Sequence, residues 1–89
     1  MKKIEVEIKN KAGLHVRPSS LFVQTATEFD ADIIVKCDDE EVNGKSIMGL
    51  MLLAAEQGRT LVLEADGEDA DEMLDALKEL IEVKKFNEE

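Results

Sequence analysis

Residues 12–20 read AGLHVRPSS and contain the chain's one histidine and its one proline, with an arginine two places after the histidine. A neutral imidazole has one free nitrogen lone pair, a nucleophile near neutral pH. A guanidinium is a planar, always-charged fork that matches phosphate oxygens. Gly13 lets the chain turn sharply, and a helix is predicted from about Val16. His15 then falls at the N-cap, although imidazole is not among the good caps Ser, Thr, Asp and Asn. A poor cap at a clean helix start points to another use for the position. The first turn of a helix presents unfilled backbone N–H groups and partial positive charge, a natural anion site. Nucleophile, cationic fork and free amides together suit a covalent phosphohistidine, with His15 as acceptor and Arg17 steadying the phosphate.

Other chemistries fit less well. A metal site lacks partner ligands, since the sole Cys37 lies in a predicted strand some distance along the chain, so no metal or cofactor is expected. An acid/base catalyst needs a substrate cleft, and so small a chain without a glycine-rich loop gives no sign of one. The pattern favours a covalent phosphohistidine over an acid/base catalyst.

A second motif is GKSIMGLMLLAA, residues 44–55. Ser46 reads as the N-cap of a helix from Ile47 to Gln57, with Gly58 as the stop. Ile47, Met48, Leu50, Met51, Leu52 and Leu53 are too many apolar groups for one buried stripe on about three turns. Leu50 and Leu53 are assigned to the core. An outward patch containing Met suits docking to several partners, because thioethers re-pack easily.

These two motifs need a scaffold. KKIEVEIK alternates, placing Ile4, Val6 and Ile8 on one face of a strand. From Val16 to about Phe29, Pro18, Leu21, Phe22, Thr25, Ala26 and Phe29 recur at helical steps, and Pro18 fits only in the first turn. DIIVKC and EVNG form a strand and its short hairpin partner, and TLVLEA is a further strand. Asp69 with Glu72 reads as an acidic capping box opening a last helix. Its buried stripe is Ala70, Met73, Leu74, Leu77, Leu80 and Ile81, and the tail KKFNEE is expected to fray. The order β-α-β-β-α-β-α predicts an α+β fold with three helices covering one face of a four-stranded sheet. Residues 1–89 are expected to form one domain.

Charge narrows the partners. A net −10 argues against nucleic acid, whose phosphates need a Lys/Arg footprint. Residues 1–20 nevertheless hold five basic and two acidic side chains, whereas residues 64–89 hold three basic and eleven acidic. The histidine thus lies in the locally positive part. A lone cysteine and the absence of a long apolar run predict a cytoplasmic, non-inserting protein, expected as a monomer.

GLHVRPSS with NGKSIMGLMLLAA resembles the HPr family, the histidine-containing phosphocarriers of the phosphoenolpyruvate-dependent sugar phosphotransferase system. The resemblance runs from IEVEI to the last helix, with the family's spacing. It implies an open-faced β-sandwich of four antiparallel strands and three helices. It implies that His15 takes a phosphoryl group on Nδ1 from enzyme I and passes it to IIA components, with Arg17 steadying the phosphate. Ile47, Met48 and Met51 match the family's partner-docking surface. Ser46 matches a serine phosphorylated in many bacteria by an HPr kinase/phosphorylase, and KSIMG has the wording of the regulated type. Two other roles are implied by relatives: a regulatory module acting on a transcriptional regulator through phosphorylated Ser46, and a nitrogen-branch carrier. Relatives specialised for regulation can lack the histidine, so His15 favours transfer, and KSIMG leans away from the nitrogen branch. Val16 and the pair Ser19-Ser20 depart from the alanine-rich wording common in the family.

Overall fold

The alternation at the start of the chain becomes β1 (Lys2–Glu7), and three further strands follow: β2 (Asp32–Cys37), β3 (Glu40–Asn43) and β4 (Thr60–Asp66). Helices α1 (Val16–Ala26), α2 (Ile47–Leu53) and α3 (Ala70–Lys78) are interleaved with them. The computed structural model describes residues 1–88. The strands form one sheet in the order β1-β4-β2-β3, and every neighbouring pair is antiparallel.

Register sorts the faces. Val6 sits opposite Leu61, Val35 opposite Leu63 and Ile33 opposite Ala65, and all six are buried. Side chains alternate across a strand, so these point to one face, where the helices cover them. The other face carries charge. Lys36 on β2 reaches Glu64 on β4 at 2.8 Å and Glu41 on β3 at 3.8 Å. The Glu64 hydrogen bond raises the Lys36 pKa, and the same bond holds the Glu64 carboxyl below its usual range. The helical layer supplies Phe22 and Ala26 from α1, Leu50 and Leu53 from α2, and Met73, Leu74 and Leu77 from α3. Leu80 and Ile81 extend the last stripe through a π-helical turn at Glu79–Val83. All six residues expected in that stripe are buried.

Four local expectations are corrected. Helix α1 ends at Ala26, short of Phe29, and the chain continues through turns. Helix α2 ends at Leu53, short of Gln57, because Ala54 takes a left-handed conformation at φ 50°. The early exit frees the Ala55 carbonyl, which accepts the Leu14 N–H at 2.9 Å. Asp69 does occupy the N-cap of α3, but its side chain makes no capping bond. Its carboxylate instead accepts the N–H groups of Asp30 and Ala31, at 2.8 and 2.9 Å.

The fourth correction concerns the tail. Residues 84–88 do not fray; they fold back, with Phe86 wholly buried against the core. Burying a phenylalanine contributes about 1.5–3 kcal/mol toward holding the tail down. Glu82 adds a further tie by accepting the Glu7 N–H at 2.8 Å. Glu89 lies outside the described residues.

Candidate functional site

Gly13 sets the geometry of the loop before α1. It has φ 71°, and a Cβ there would lie 2.3 Å from the Ala55 oxygen. Only glycine permits both the left-handed turn and the close approach to the end of α2. Asn10, fully buried, donates its Nδ2 to the Gly13 carbonyl at 3.0 Å and ties the loop from inside.

His15 is the N-cap of α1, in extended conformation, and its side chain makes no capping bond. Val16, Arg17 and Pro18 fill the first three helical positions. Pro18 has no N–H, and the first intrahelical bond runs from Ser19 N–H to the His15 carbonyl at 3.0 Å. Among the described residues, nothing accepts the Val16 or Arg17 N–H, and no carboxylate pairs with the exposed Arg17 side chain. The helix start therefore offers two open amides at the positive end of an 11-residue helix, on the same first turn that carries the Arg17 cation.

The ring is 41 % exposed, but its two nitrogens differ. Nε2 is sealed from solvent, 3.2 Å from Glu88 Oε2. That distance suits a hydrogen bond, yet the two groups are not aligned as one. Glu88 Oε1 accepts from Asn10 Nδ2 at 3.0 Å. Since both partners of that amide nitrogen are acceptors, the orientation of Asn10 is fixed by its network. Asn10 Oδ1, His15 Nε2 and Ser19 Oγ are buried without a hydrogen-bond partner among the described residues. Such orphaned groups cost about 1–3 kcal/mol each, and here they cluster around the loop and first turn that hold the histidine.

Sequence reasoning missed Asn10, Ser19 and Glu88. No local spacing could reveal Glu88, which meets Asn10 across 78 residues. The one signal is Phe86, an apolar ring in an otherwise polar tail, which has to be buried somewhere.

Ser46 is the N-cap of α2, and its Oγ accepts the Gly49 N–H at 3.0 Å. It does not meet His15: the histidine loop touches the far end of α2, about 10 Å along a seven-residue helix. Between them lies the apolar patch. Leu50 and Leu53 are buried, while Met48 and Leu52 are each 74 % exposed, and Ile47 and Met51 are partly exposed. Leu52 is an addition to the expected patch, one helical turn after Met48. Val16, 57 % exposed at the start of α1, adds another apolar surface group. No helix is long and apolar enough to cross a membrane among the described residues.

Comparison with known proteins places this arrangement. A family profile described as "PTS HPr component phosphorylation site" matches residues 2–83. The phosphocarrier protein HPr of Neisseria meningitidis is 52 % identical over 81 residues, covering 91 % of each chain. The crystal structure of HPr from Thermoanaerobacter tengcongensis superposes with a TM-score of 0.94 at 53 % identity, covering 100 % of this chain and 99 % of that one. The crystal structure of Bacillus subtilis Crh, a catabolite repression protein described as a swapped, intertwined dimer, gives a TM-score of 0.72 at 46 % identity over 89 % of this chain and 91 % of that one. With one histidine at an uncapped helix start, an open-faced sheet and agreement over nearly its full length, this chain belongs to the HPr family of phosphocarriers of the phosphotransferase system.

Proposed function

We propose that the protein carries a phosphoryl group on His15 Nδ1, taking it from enzyme I and passing it to IIA components of sugar permeases. The observation that carries this reading is the half-exposed imidazole at a helix start whose Val16 and Arg17 amides are unfilled. Nε2 is sealed, which leaves Nδ1 as the nitrogen a partner can reach. In the step, the Nδ1 lone pair attacks the phosphorus held on the donor's histidine. A new N–P bond forms as the donor's N–P bond breaks, and that electron pair returns to the donor's ring. The incoming phosphoryl oxygens lie toward the open amides and the Arg17 fork, which stabilise negative charge in place of water. The surface supplies no further machinery, because the partner brings its own.

Ile47, Met48 and Met51, with Leu52, form the docking patch in this reading. Ser46 at its edge is a site of regulatory phosphorylation by an HPr kinase/phosphorylase. A phosphate there adds about −1.5 to −2 charge beside apolar groups that must lose water on docking. The whole chain works as one carrier domain, a cytoplasmic monomer without a nucleic-acid partner.

A second reading is favoured by the likeness to Crh: a regulatory module that acts on a transcriptional regulator through phosphorylated Ser46. One experiment separates the two. Incubation with enzyme I and phosphoenolpyruvate is expected to add one acid-labile, alkali-stable phosphate, and His15→Ala to abolish it. A gain that persists in His15→Ala places the nucleophile elsewhere, and no gain in the parent protein leaves the regulatory reading.

A further inference from the structure

β3 ends the strand order, so one of its edges has no strand beside it among the described residues. Gly44 N–H donates to the Ile33 carbonyl at 2.8 Å, and bonded pairs alternate along an antiparallel ladder. The backbone of Val42 and Glu40 therefore faces β2, and that of Glu41 faces outward. Unpaired strand backbone of this kind is a template for another strand. Beside it runs a groove of about 270 Å³ lined by Glu40, Glu41, Val42 and Leu52. Gly49 lets α2 lie close on β3, since a Cβ there would come within 3.2 Å of the Val42 Cβ. Val42 packs against the core, while Leu52 is 74 % exposed.

Charge selects what can lie there. Residues 38–41 read DDEE, four carboxylates in a row. Arg59 pairs with Asp38, and Lys36 lies 3.8 Å from Glu41. Asp39 and Glu40 have no cation within ion-pair distance among the described residues. Two copies of this chain meeting edge to edge would set these acidic runs against each other, which disfavours a second copy as the occupant.

We propose that the β3 edge is a docking site for an extended, basic segment of a partner protein, added to the sheet as a fifth strand. Residues opposite one another on neighbouring strands share a face, so the segment's residues opposite Val42 and Glu40 point to the α2 side. An aliphatic side chain opposite Val42 meets Leu52, and a lysine or arginine two residues away meets Glu40. The recognised pattern is thus an aliphatic and a basic residue at alternate positions. Leu52 is one helical turn from Met48, so the groove adjoins the exposed face of α2 without including His15. The proposal stands whether or not His15 carries phosphate.

The test titrates the 15N-labelled full chain, at physiological salt, with the peptide acetyl-Thr-Leu-Thr-Lys-Thr-amide. Its counterpart with glutamate in place of lysine is the control. Amide shifts are expected at residues 40–43 and at Leu52 with the lysine peptide, and none with the glutamate peptide. Leu52→Ser and Glu40→Lys change exposed positions, are expected to keep the fold, and should each weaken binding about tenfold. His15→Ala is expected to bind as the parent does, which separates this site from the carrier reading. Shifts centred instead on the exposed carboxylates of α3 (Asp71, Glu72 and Asp75) overturn the proposal. So does a titration that the two variants leave unchanged, or the absence of any shift with the lysine peptide in large excess.

Discussion

At the start of α2 the Ser46 hydroxyl accepts the Gly49 N–H, whereas at the start of α1 the His15 side chain caps nothing. The two termini face the same physical problem, since each leaves backbone donors without intrahelical partners. In α2 a good cap meets it. In α1 even a serine could not make the equivalent bond, because the third helical residue is Pro18 and has no N–H to donate. The remaining donors, on Val16 and Arg17, have no acceptor among the described residues, and the exposed Arg17 side chain has no carboxylate partner there. One helix start is closed by its own side chain, and the other is open among the described residues, as the carrier reading requires. The exposed apolar face of α2 lies between them, so in the carrier reading a partner docked on it would reach the open terminus while covering the closed one.

That contrast can be broken from the closed side. Ser46→Asp places a negative charge at the edge of the docking patch without touching His15. It is expected to keep the fold, because aspartate is itself a good N-cap. Phosphoryl transfer from enzyme I is expected to fall about a hundredfold, the scale set by an uncompensated charge at an interface. Circular dichroism checks the fold and rapid-quench kinetics the transfer. Rates equal to the parent's would mean that partners do not dock across α2, and that the two helix starts work independently.

A smaller effect sharpens the same contrast through stability alone. Ser46→Ala removes a cap bond that is present and is expected to cost about 1 kcal/mol. His15→Ala removes a side chain that caps nothing, together with its orphaned Nε2, and is expected to cost less than the serine variant. Paired urea denaturations measure both. A histidine variant that loses as much as the serine variant would show that the ring stabilises α1 after all, and that its position has a structural explanation.

Much of this contrast is legible in the amino-acid sequence. The histidine loop, the start of α1 at Val16 and the Ser46 cap are local events, governed by a few adjacent residues and by proline and glycine chemistry. The alternation in β1 and the stripe in α3 are legible because their periods differ and each buries one face. What escapes a sequence reading depends on distant partners. The exit of α2 at Ala54 goes with a distant partner, since the Leu14 N–H bonds the Ala55 carbonyl and Gly13 leaves that oxygen room. The tail reads as polar and frayed until the core is seen to have room for Phe86. Glu88 becomes part of the site only because that ring anchors it.

The third helix start gives the smallest effect and a sign that can be checked. Asp69 stands at the N-cap of α3, but its carboxylate bridges to the loop before β2. The N–H of Asp30, more than any other group, holds this carboxyl below its usual range; the Ala31 N–H and the charge of Lys45 act in the same direction, against partial desolvation. A carboxyl depressed in the folded state stabilises it fully above the ordinary carboxylate pKa, about 3.9. That contribution fades as pH falls from there through the lower folded value. Asp69→Asn is therefore expected to be somewhat less stable than the parent at pH 7, with the gap narrowing as pH falls below about 3.9. Urea unfolding at a series of pH values reads the gap directly. A gap of the same size at both ends would show that the side chain acts through shape and not charge. Asp69 would then tie α3 to the loop before β2 as a hydrogen-bond acceptor whatever its charge, still without capping its own helix.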